Sequence, residues 1–191
     1  MSTHVFKPVA GVIALFLSLM FIATVTSQTK AQAACTPAPK PKATINAHAK
    51  KAAKAEHLTS TQLGNVRTIV SIVLKKKLPK RAAVIAVATS MQESRLRDLP
   101  YGDRDSLGLF QQRPSSGWGS GDQIVDPTYA TQQFLDALVD VPNWKSRPLT
   151  KAAQAVQRSA FPNAYAQWEP MAKKMVTAVL YQPKKDGTCA K

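Results

Sequence analysis

The chain has 191 residues, a formal net charge of +15 and a hydrophobic fraction of 45%, which suits one packed domain of ordinary size with basic appendages. Its three histidines and two cysteines all lie outside the region predicted to fold, namely His4, Cys35, His48, His57 and Cys189. This distribution excludes a histidine-based catalytic triad, a zinc site of histidines and cysteines, and a cysteine nucleophile within that domain.

Residues 1–34 have the organisation of a signal peptide. Lys7 precedes an apolar run from Val9 to Val25, and Ala31-Gln32-Ala33 matches the small-x-small pattern of a cleavage site. The protein is therefore predicted to be secreted or extracytoplasmic. Because the apolar run is nearly long enough to cross a bilayer, an uncleaved membrane anchor is the alternative.

The two cysteines lie at opposite ends of the predicted mature chain. In an exported protein, Cys35 and Cys189 predict a disulfide that joins the tails. Lipidation of Cys35 is the alternative, but Gln32 stands where lipoprotein signals usually carry an aliphatic residue. A membrane is thus expected as a partner only if Cys35 is lipidated or the N-terminal segment stays uncleaved.

Two basic segments flank the predicted domain. Residues 35–57 are rich in Pro, Ala and Lys, and they are predicted to form a linker because they cannot bury enough surface to offset the entropy of ordering. The Lys/Ala part of this linker is compatible with a transient helix. Residues 182–191 form a basic tail. An exported basic protein is attracted to anionic partners, such as anionic polymers of a bacterial wall, whereas export argues against nucleic acid.

The domain is predicted over residues 58–181 and is mainly α-helical. Thr59 and Gln62 form the signature of a capping box, and apolar residues at helical spacing then run to about Leu74. Pro79 suits the start of the next helix. That helix, RAAVIAVATSMQES, is apolar on nearly all sides and is predicted to be central and buried, with Glu93 near its end.

The second half of the domain begins with a loop. A short hairpin is predicted at Leu107–Gln112 within this loop, since glycines, prolines and short apolar pieces alternate there. Start and stop signals predict three later helices: one begins at Asp126-Pro127 and ends near Val139, one is capped by Thr150, and one from Asn163 to about Leu180 is interrupted at Pro170.

Glu93 is the candidate for acid chemistry. It follows a buried helix and precedes a hydrophobic loop, and a carboxyl against apolar walls has a raised pKa because its charged form is disfavoured. Such a glutamic acid can donate a proton near neutral pH, as cleavage of a glycosidic bond requires. The alternative is a solvated glutamate at a helix end, paired with Arg95 or Arg97.

The motif around Glu93 resembles that of the soluble lytic transglycosylases and goose-type lysozymes. These proteins share a Glu-Ser pair, here Glu93-Ser94, followed after a gap by a Gly-Leu-Met/Phe-Gln core, here Gly108 to Gln111. An aspartate-proline helix like that at Asp126 is also similar. The resemblance covers about Leu58 to Tyr181, and it is strongest to exported actinobacterial proteins with phrases such as YGDRDSLGLFQQRPS and AVQRSAFP.

The resemblance implies an α+β lysozyme-like fold, which is a compact, mainly helical domain with a short hairpin or loop beside an active-site groove. It also implies cleavage of the glycan strands of peptidoglycan, with Glu93 as general acid and then base. A muramidase would need a second carboxylate, for which Asp103 or Asp105 is the candidate. No cofactor or metal is predicted, since Leu107 and Pro114 stand where a calcium loop starting at Asp103 needs oxygen ligands.

The resemblance further implies a set of substrate-binding residues: Ser94, Ser106, Gln111, Gln112, Gln157 and Tyr165. Ser94 would orient the glutamate or the sugar. One feature departs from the transglycosylases, which carry a Tyr-Asn pair on a late helix, whereas this chain has Val156-Gln157. Gln157 would replace the asparagine and Tyr165 the tyrosine. Hydrolysis, anhydro formation and a non-catalytic peptidoglycan-binding module on the same fold therefore all remain open, and the sequence predicts no oligomeric state.

The remaining charged and aromatic residues are interpreted mainly as structural. The arginines near Glu93 are predicted to pair with nearby aspartates rather than with substrate; these are Arg95, Arg97, Arg104 and Arg113, with Asp98, Asp103 and Asp105. Five aromatic residues are assigned to the core, Phe134, Trp144, Phe161, Tyr165 and Trp168. Trp118 is left open between sugar stacking and simple packing.

Overall fold

The computed structural model describes residues 41–181, with side chains from residue 47 onward. These residues form α-helices α1 (Pro41–Ala55), α2 (Ser60–Lys75), α3 (Lys80–Ser94), α4 (Gly121–Ile124), α5 (Pro127–Val139), α6 (Leu149–Gln157) and α7 (Glu169–Val179), with 3-10 helices at Pro114–Ser116 and Ala166–Trp168. The prediction of a mainly helical protein is confirmed.

Several predictions concern residues outside this range. The signal peptide or anchor at 1–34, the Cys35–Cys189 disulfide and the basic tail at 182–191 all lie outside the described residues, and they stay predictions. Between residues 41 and 181, no helix has both the length and the apolar character that crossing a membrane requires.

Helix α3 is the centre of the core. Ten consecutive residues, Ala82 to Met91, are buried, and the helix packs against α2, α5, α6 and α7. Two of its three buried polar residues bond within the helix: Thr89 donates to the Ile85 carbonyl at 2.8 Å and Ser90 to the Val87 carbonyl at 3.2 Å. The predicted central helix is confirmed, and Glu93 lies in its last turn.

The predicted capping box at the start of α2 is also confirmed. The Gln62 amide N–H donates to Thr59 Oγ1 at 3.2 Å, and the Thr59 amide N–H donates to Gln62 Oε1 at 2.8 Å. Gln62 has a second role, because its Nε2 donates to the Arg95 carbonyl at 2.7 Å. The start of α2 is thereby attached to the end of α3, beside Glu93.

The linker prediction is wrong for residues 41–55. This segment forms α1, which packs against α7 and belongs to the same compact unit as the other helices. Ala49, Ala52 and Ala53 are buried, at 1%, 8% and 4% exposure. Alanine is the best helix former, and its small side chain lets two helices approach closely. Each alanine has little apolar surface, but Ala49, Ala52 and Ala53 recur at helical spacing and together form an apolar stripe on one face of α1.

One ion pair and one aromatic contact extend this packing between α1 and α7. Glu56, just after α1, forms an ion pair with Lys174 of α7 at 2.6 Å. The His48 ring stacks on Tyr181 with ring centroids 3.7 Å apart. The folded unit therefore begins before the predicted boundary at Leu58.

The later helices agree with the sequence signals in two cases out of three. Asp126 caps α5 by accepting from the Thr128 amide at 2.8 Å, and α7 carries Pro170 in its first turn after the 3-10 helix, as the predicted interruption implied. The capping role of Thr150 is wrong. Helix α6 begins at Leu149 after Pro148, and Thr150 Oγ1 instead donates to the Pro162 carbonyl at 2.7 Å.

Candidate active site

The end of α3 determines where Glu93 lies. Arg95 ends the helix in the left-handed conformation, and the next residue, Leu96, is fully buried and donates its amide to the Ser90 carbonyl at 3.1 Å. This tight ending holds Glu93 in the last helical turn. The negative end of the helix dipole is located there, and it opposes ionisation of a carboxyl group.

Tyr165 is the direct partner of Glu93. Its hydroxyl donates to Glu93 Oε1 at 2.7 Å, and the tyrosine itself is fully buried. Burial raises the pKa of the half-buried Glu93 carboxyl, and the hydrogen bonds from Tyr165 and Gln157 only partly offset this rise. Burial and the neighbouring Glu93 charge also raise the pKa of Tyr165, so that its hydroxyl remains a proton donor in this bond.

Gln157 completes the surroundings of the carboxyl. It is the last residue of α6, and its Nε2 donates to the Phe110 carbonyl at 2.8 Å while the side chain also hydrogen-bonds to Glu93. The structure therefore brings Gln157 and Tyr165 together at Glu93. These are the two residues that the sequence offered in place of the tyrosine-asparagine pair.

Gln92 is a residue of this site that sequence reasoning missed. Its Oε1 accepts from Trp168 Nε1 at 2.8 Å and from Gln167 Nε2 at 3.2 Å, and the Arg95 guanidinium lies 4.6 Å from the Trp168 ring centroid. Adjacent residues of α3 thus hold the same segment, Gln92 through Trp168 and Glu93 through Tyr165. No local pattern in the sequence marks Gln92, because its partners lie far along the chain.

The predicted hairpin at Leu107–Gln112 is present as a single antiparallel pair of residues. Leu107 and Gln112 exchange backbone hydrogen bonds of 2.9 and 3.0 Å. Between them, Gly108 has φ +71°, and a Cβ atom there would lie 2.1 Å from the Ile124 carbonyl oxygen, so only glycine fits. Phe110 is fully buried and stacks on Phe134 with centroids 4.5 Å apart.

Ser94 is hydrogen-bonded to the backbone at the end of α3. It is buried, its hydroxyl donates to the Leu109 carbonyl at 2.8 Å, and its Oγ accepts from the Arg97 amide N–H at 3.0 Å. None of its hydrogen bonds within the described residues reaches Glu93, and the expectation that Ser94 orients the glutamate or the sugar stays a prediction. Ser94 thereby joins the end of α3 to the loop that carries Gly108, since Leu109 follows Gly108 directly.

Replacing Ser94 by alanine is expected to lower the free energy of unfolding by about 1–3 kcal/mol, since two backbone groups lose their partner. The midpoint of chemical denaturation measures this change. Activity per folded molecule should stay near that of the wild type. The exposed Ser71 of α2, replaced by alanine, is the matched control and should change stability by only a few tenths of a kcal/mol. A selective loss of turnover in Ser94→Ala would contradict the structural role.

A groove of about 1190 Å³ opens beside Glu93. Its walls include six residues predicted from the sequence: Glu93, Asp103, Ser106, Gln111, Gln112 and Gln157. Gln112 is buried and its Nε2 donates to the Ala130 carbonyl at 3.1 Å, whereas its Oε1 accepts no hydrogen bond from the described residues. Gln111 Nε2 donates to the Gly108 carbonyl at 3.2 Å. The groove thus combines three acidic groups, Glu93, Asp103 and Asp140, with the amides of Gln111, Gln112 and Gln157.

Asp105 is used to hold the loop together. Its Oδ1 accepts from Arg113 Nε at 2.6 Å, and its Oδ2 accepts from the Ser115 amide at 2.8 Å. The hydrogen bonds from Ser115 and Arg113 hold the pKa of Asp105 well below its usual range. Asp105 does not line the groove, whereas the exposed Asp103 does. The predicted arginine–aspartate pairing is confirmed for Arg113 with Asp105, while Asp98 accepts from Asn65 Nδ2 at 3.0 Å.

The aromatic residues divide differently from the prediction. Phe134, Trp144 and Tyr165 are buried, and the half-buried Trp168 packs against the core. Phe161 is 74% exposed on the rim of the groove, so its assignment to the core is wrong. It lies in a loop between α6 and Tyr165, where no helical period decides which side chains point inward. Trp118 is half-buried and lines the groove.

Within residues 47–181, no cluster of three or more histidine, cysteine, aspartate or glutamate side chains is arranged to hold a metal ion. Comparison of the chain with models of known protein families finds no match, and a search of curated proteins finds no significant relative.

Proposed function

We propose that this protein is an exported enzyme with a lysozyme-like fold that cleaves the glycan strands of peptidoglycan, with Glu93 as the general acid. The observation that carries the proposal is the half-buried Glu93 carboxyl, which accepts a 2.7 Å hydrogen bond from Tyr165 at the wall of a groove. A carboxyl with a raised pKa at such a place is suited to donating a proton near neutral pH.

The first step is protonation of the glycosidic oxygen. Neutral Glu93 gives its proton to the leaving oxygen while the bond from that oxygen to the anomeric carbon breaks. Glu93 then carries the negative charge, which the hydrogen bonds from Tyr165 and Gln157 stabilise more than they stabilise the neutral acid. Both partners therefore favour proton release, although the buried position keeps the proton in place until substrate binds.

In the second step, the deprotonated Glu93 carboxylate acts as the base and accepts a proton. In the anhydro-forming route, Glu93 takes the proton of the muramic acid 6-hydroxyl while the oxygen of that hydroxyl bonds to the anomeric carbon of the same sugar. This route needs one carboxylate, and the commitment of Asp105 to Arg113 and Ser115 favours it. Hydrolysis is the alternative, with a water molecule in place of the 6-hydroxyl and Asp103 as the second carboxylate.

Mass analysis of the fragments released from purified peptidoglycan by the mature protein tests the proposal. We expect fragments with 1,6-anhydro ends, which are lighter by one water than the corresponding reducing ends. Reducing ends would instead assign hydrolysis and direct attention to Asp103. Binding to insoluble wall without release of any soluble fragment would overturn cleavage and indicate a peptidoglycan-binding module, with anionic wall polymers as further candidate partners.

A further inference from the structure

The loop that follows α6 presents three exposed residues to the groove, Arg158, Ala160 and Phe161, of which two have large side chains. We call residues 158–162 the α6 lip, which connects Gln157 to the segment carrying Tyr165. Phe161 of this lip is the most exposed large apolar residue among those described, at 74%, ahead of Tyr101 at 65% and Leu74 at 59%. An apolar ring in water on the wall of a groove is a feature of ligand-binding surfaces.

The exposure of Phe161 is built in, because the lip is anchored to α6. Ser159 exchanges two hydrogen bonds with the Gln154 side chain, with Gln154 Nε2 donating to the Ser159 carbonyl at 2.7 Å and Ser159 Oγ lying 3.0 Å from Gln154 Oε1. Thr150 Oγ1 donates to the Pro162 carbonyl at 2.7 Å. These bonds hold the lip on both sides of Phe161, so little conformational entropy remains to be lost when a ligand binds.

Arg158 provides the charge of the lip. It ends α6 in a left-handed conformation with φ 51°, it is exposed, and it lines the groove directly after Gln157. Among the described residues it forms no ion pair, in contrast to Arg113, which is held by Asp105. A guanidinium of this kind is available for a charge-assisted hydrogen bond to a carboxylate of a ligand.

We propose that the α6 lip is a substrate subsite in which Phe161 stacks on the apolar face of a sugar ring and Arg158 binds a carboxylate carried by the same glycan strand. This inference rests on the proposed function. It names the ligand chemistry more closely, as a glycan substituted with lactyl or peptide carboxylates, and it distinguishes such a strand from a neutral glycan. Gln157 lies between the lip and Glu93, so the sugar on the lip would be close to the bond that is cleaved.

The test measures binding in a Glu93→Gln background, so that ligand is not consumed. Two ligands of equal length are compared: peptide-bearing peptidoglycan strands and neutral N-acetylglucosamine oligomers. Phe161→Ala should raise the Kd for both ligands about tenfold, and Phe161→Tyr should restore it. Arg158→Ala should raise the Kd about tenfold for the carboxylate-bearing strand alone, and added salt should remove this difference.

Two matched variants control for general effects. Leu74→Ala removes an exposed apolar side chain and Lys75→Ala an exposed positive charge, both in α2 and neither on the groove. Both should leave the Kd unchanged. Equal Kd values for Phe161→Ala and its parent would overturn the lip, as would absence of binding to either ligand. An equal increase in the Kd of both ligands in Arg158→Ala would overturn the carboxylate contact.

The outcome separates the lip from the proposed cleavage. If the wild type releases no fragments but both lip variants weaken binding as expected, the subsite stands and the enzyme proposal fails. If the wild type releases fragments and neither lip variant changes the Kd, the enzyme proposal stands and the subsite fails. In the enzyme that retains Glu93, Phe161→Ala should raise KM more than it lowers kcat, since the lip holds a sugar and transfers no proton.

Discussion

Replacement of Glu93 by glutamine is expected to lower the rate of glycan cleavage by about 10²- to 10⁴-fold while the protein stays folded. Glutamine has nearly the same shape and its Oε1 can still accept the hydrogen bond from Tyr165, but it has no proton that it can give to a glycosidic oxygen. Release of soluble fragments from purified peptidoglycan measures the rate, and circular dichroism with thermal unfolding measures the fold.

The control for this substitution is Glu169→Gln in α7. Glu169 is also a half-buried glutamate, but it forms an ion pair with Lys173 at 2.7 Å and does not line the groove. Its replacement should leave the rate near that of the wild type. Cleavage by Glu93→Gln at the wild-type rate would refute the assignment of Glu93 as the general acid.

The Glu93→Gln substitution should also change how the stability of the protein depends on pH. Because burial raises the pKa of Glu93 in the folded protein, the unfolded chain releases this proton more readily. The contribution of Glu93 to stability is therefore fully present below its unfolded pKa of about 4.3 and is lost as the pH rises through the folded pKa. The Tm of Glu93→Gln relative to wild type should accordingly increase with pH across that window, and a flat difference would contradict a raised pKa.

Replacement of Tyr165 by phenylalanine is expected to produce the second largest loss, about 10- to 100-fold in kcat/KM, since a hydrogen bond to a charged group contributes about 1.5–3 kcal/mol. The hydroxyl lowers the pKa of Glu93 against the larger effect of burial. Its removal should raise that pKa further. The alkaline limb of the profile of kcat/KM against pH, where Glu93 loses its proton, should then move to higher pH.

A full pH–rate profile of Tyr165→Phe is the measurement, with Tyr101→Phe as the matched control. Tyr101 is 65% exposed and does not line the groove, so its profile should coincide with that of the wild type. A Tyr165→Phe variant with reduced rate but an unmoved alkaline limb would show that Tyr165 contributes to packing and does not act on the Glu93 carboxyl.

The sequence by itself determined the features that depend on neighbouring residues. The capping box of Thr59 and Gln62 is a local exchange of hydrogen bonds, and the uninterrupted apolar character of α3 leaves it only a central place. The position of Glu93 in the last turn of that helix follows directly. The glycines and prolines that follow Glu93 likewise predicted the loop and its short hairpin, although the contact of Gly108 with Ile124 is tertiary.

The tertiary structure alone decided which distant groups meet. Tyr165 lies 72 positions from Glu93 and Trp168 lies 76 positions from Gln92, and such pairs depend on how α6, α7 and their connection pack on α3. Loop side chains follow no period, so burial of Phe161 was predicted where exposure is found. The partners of polar side chains were decided in the same way: Ser94 donates to the Leu109 carbonyl and Asp105 accepts from Arg113, because buried polar groups pair with whichever partner the fold brings near them.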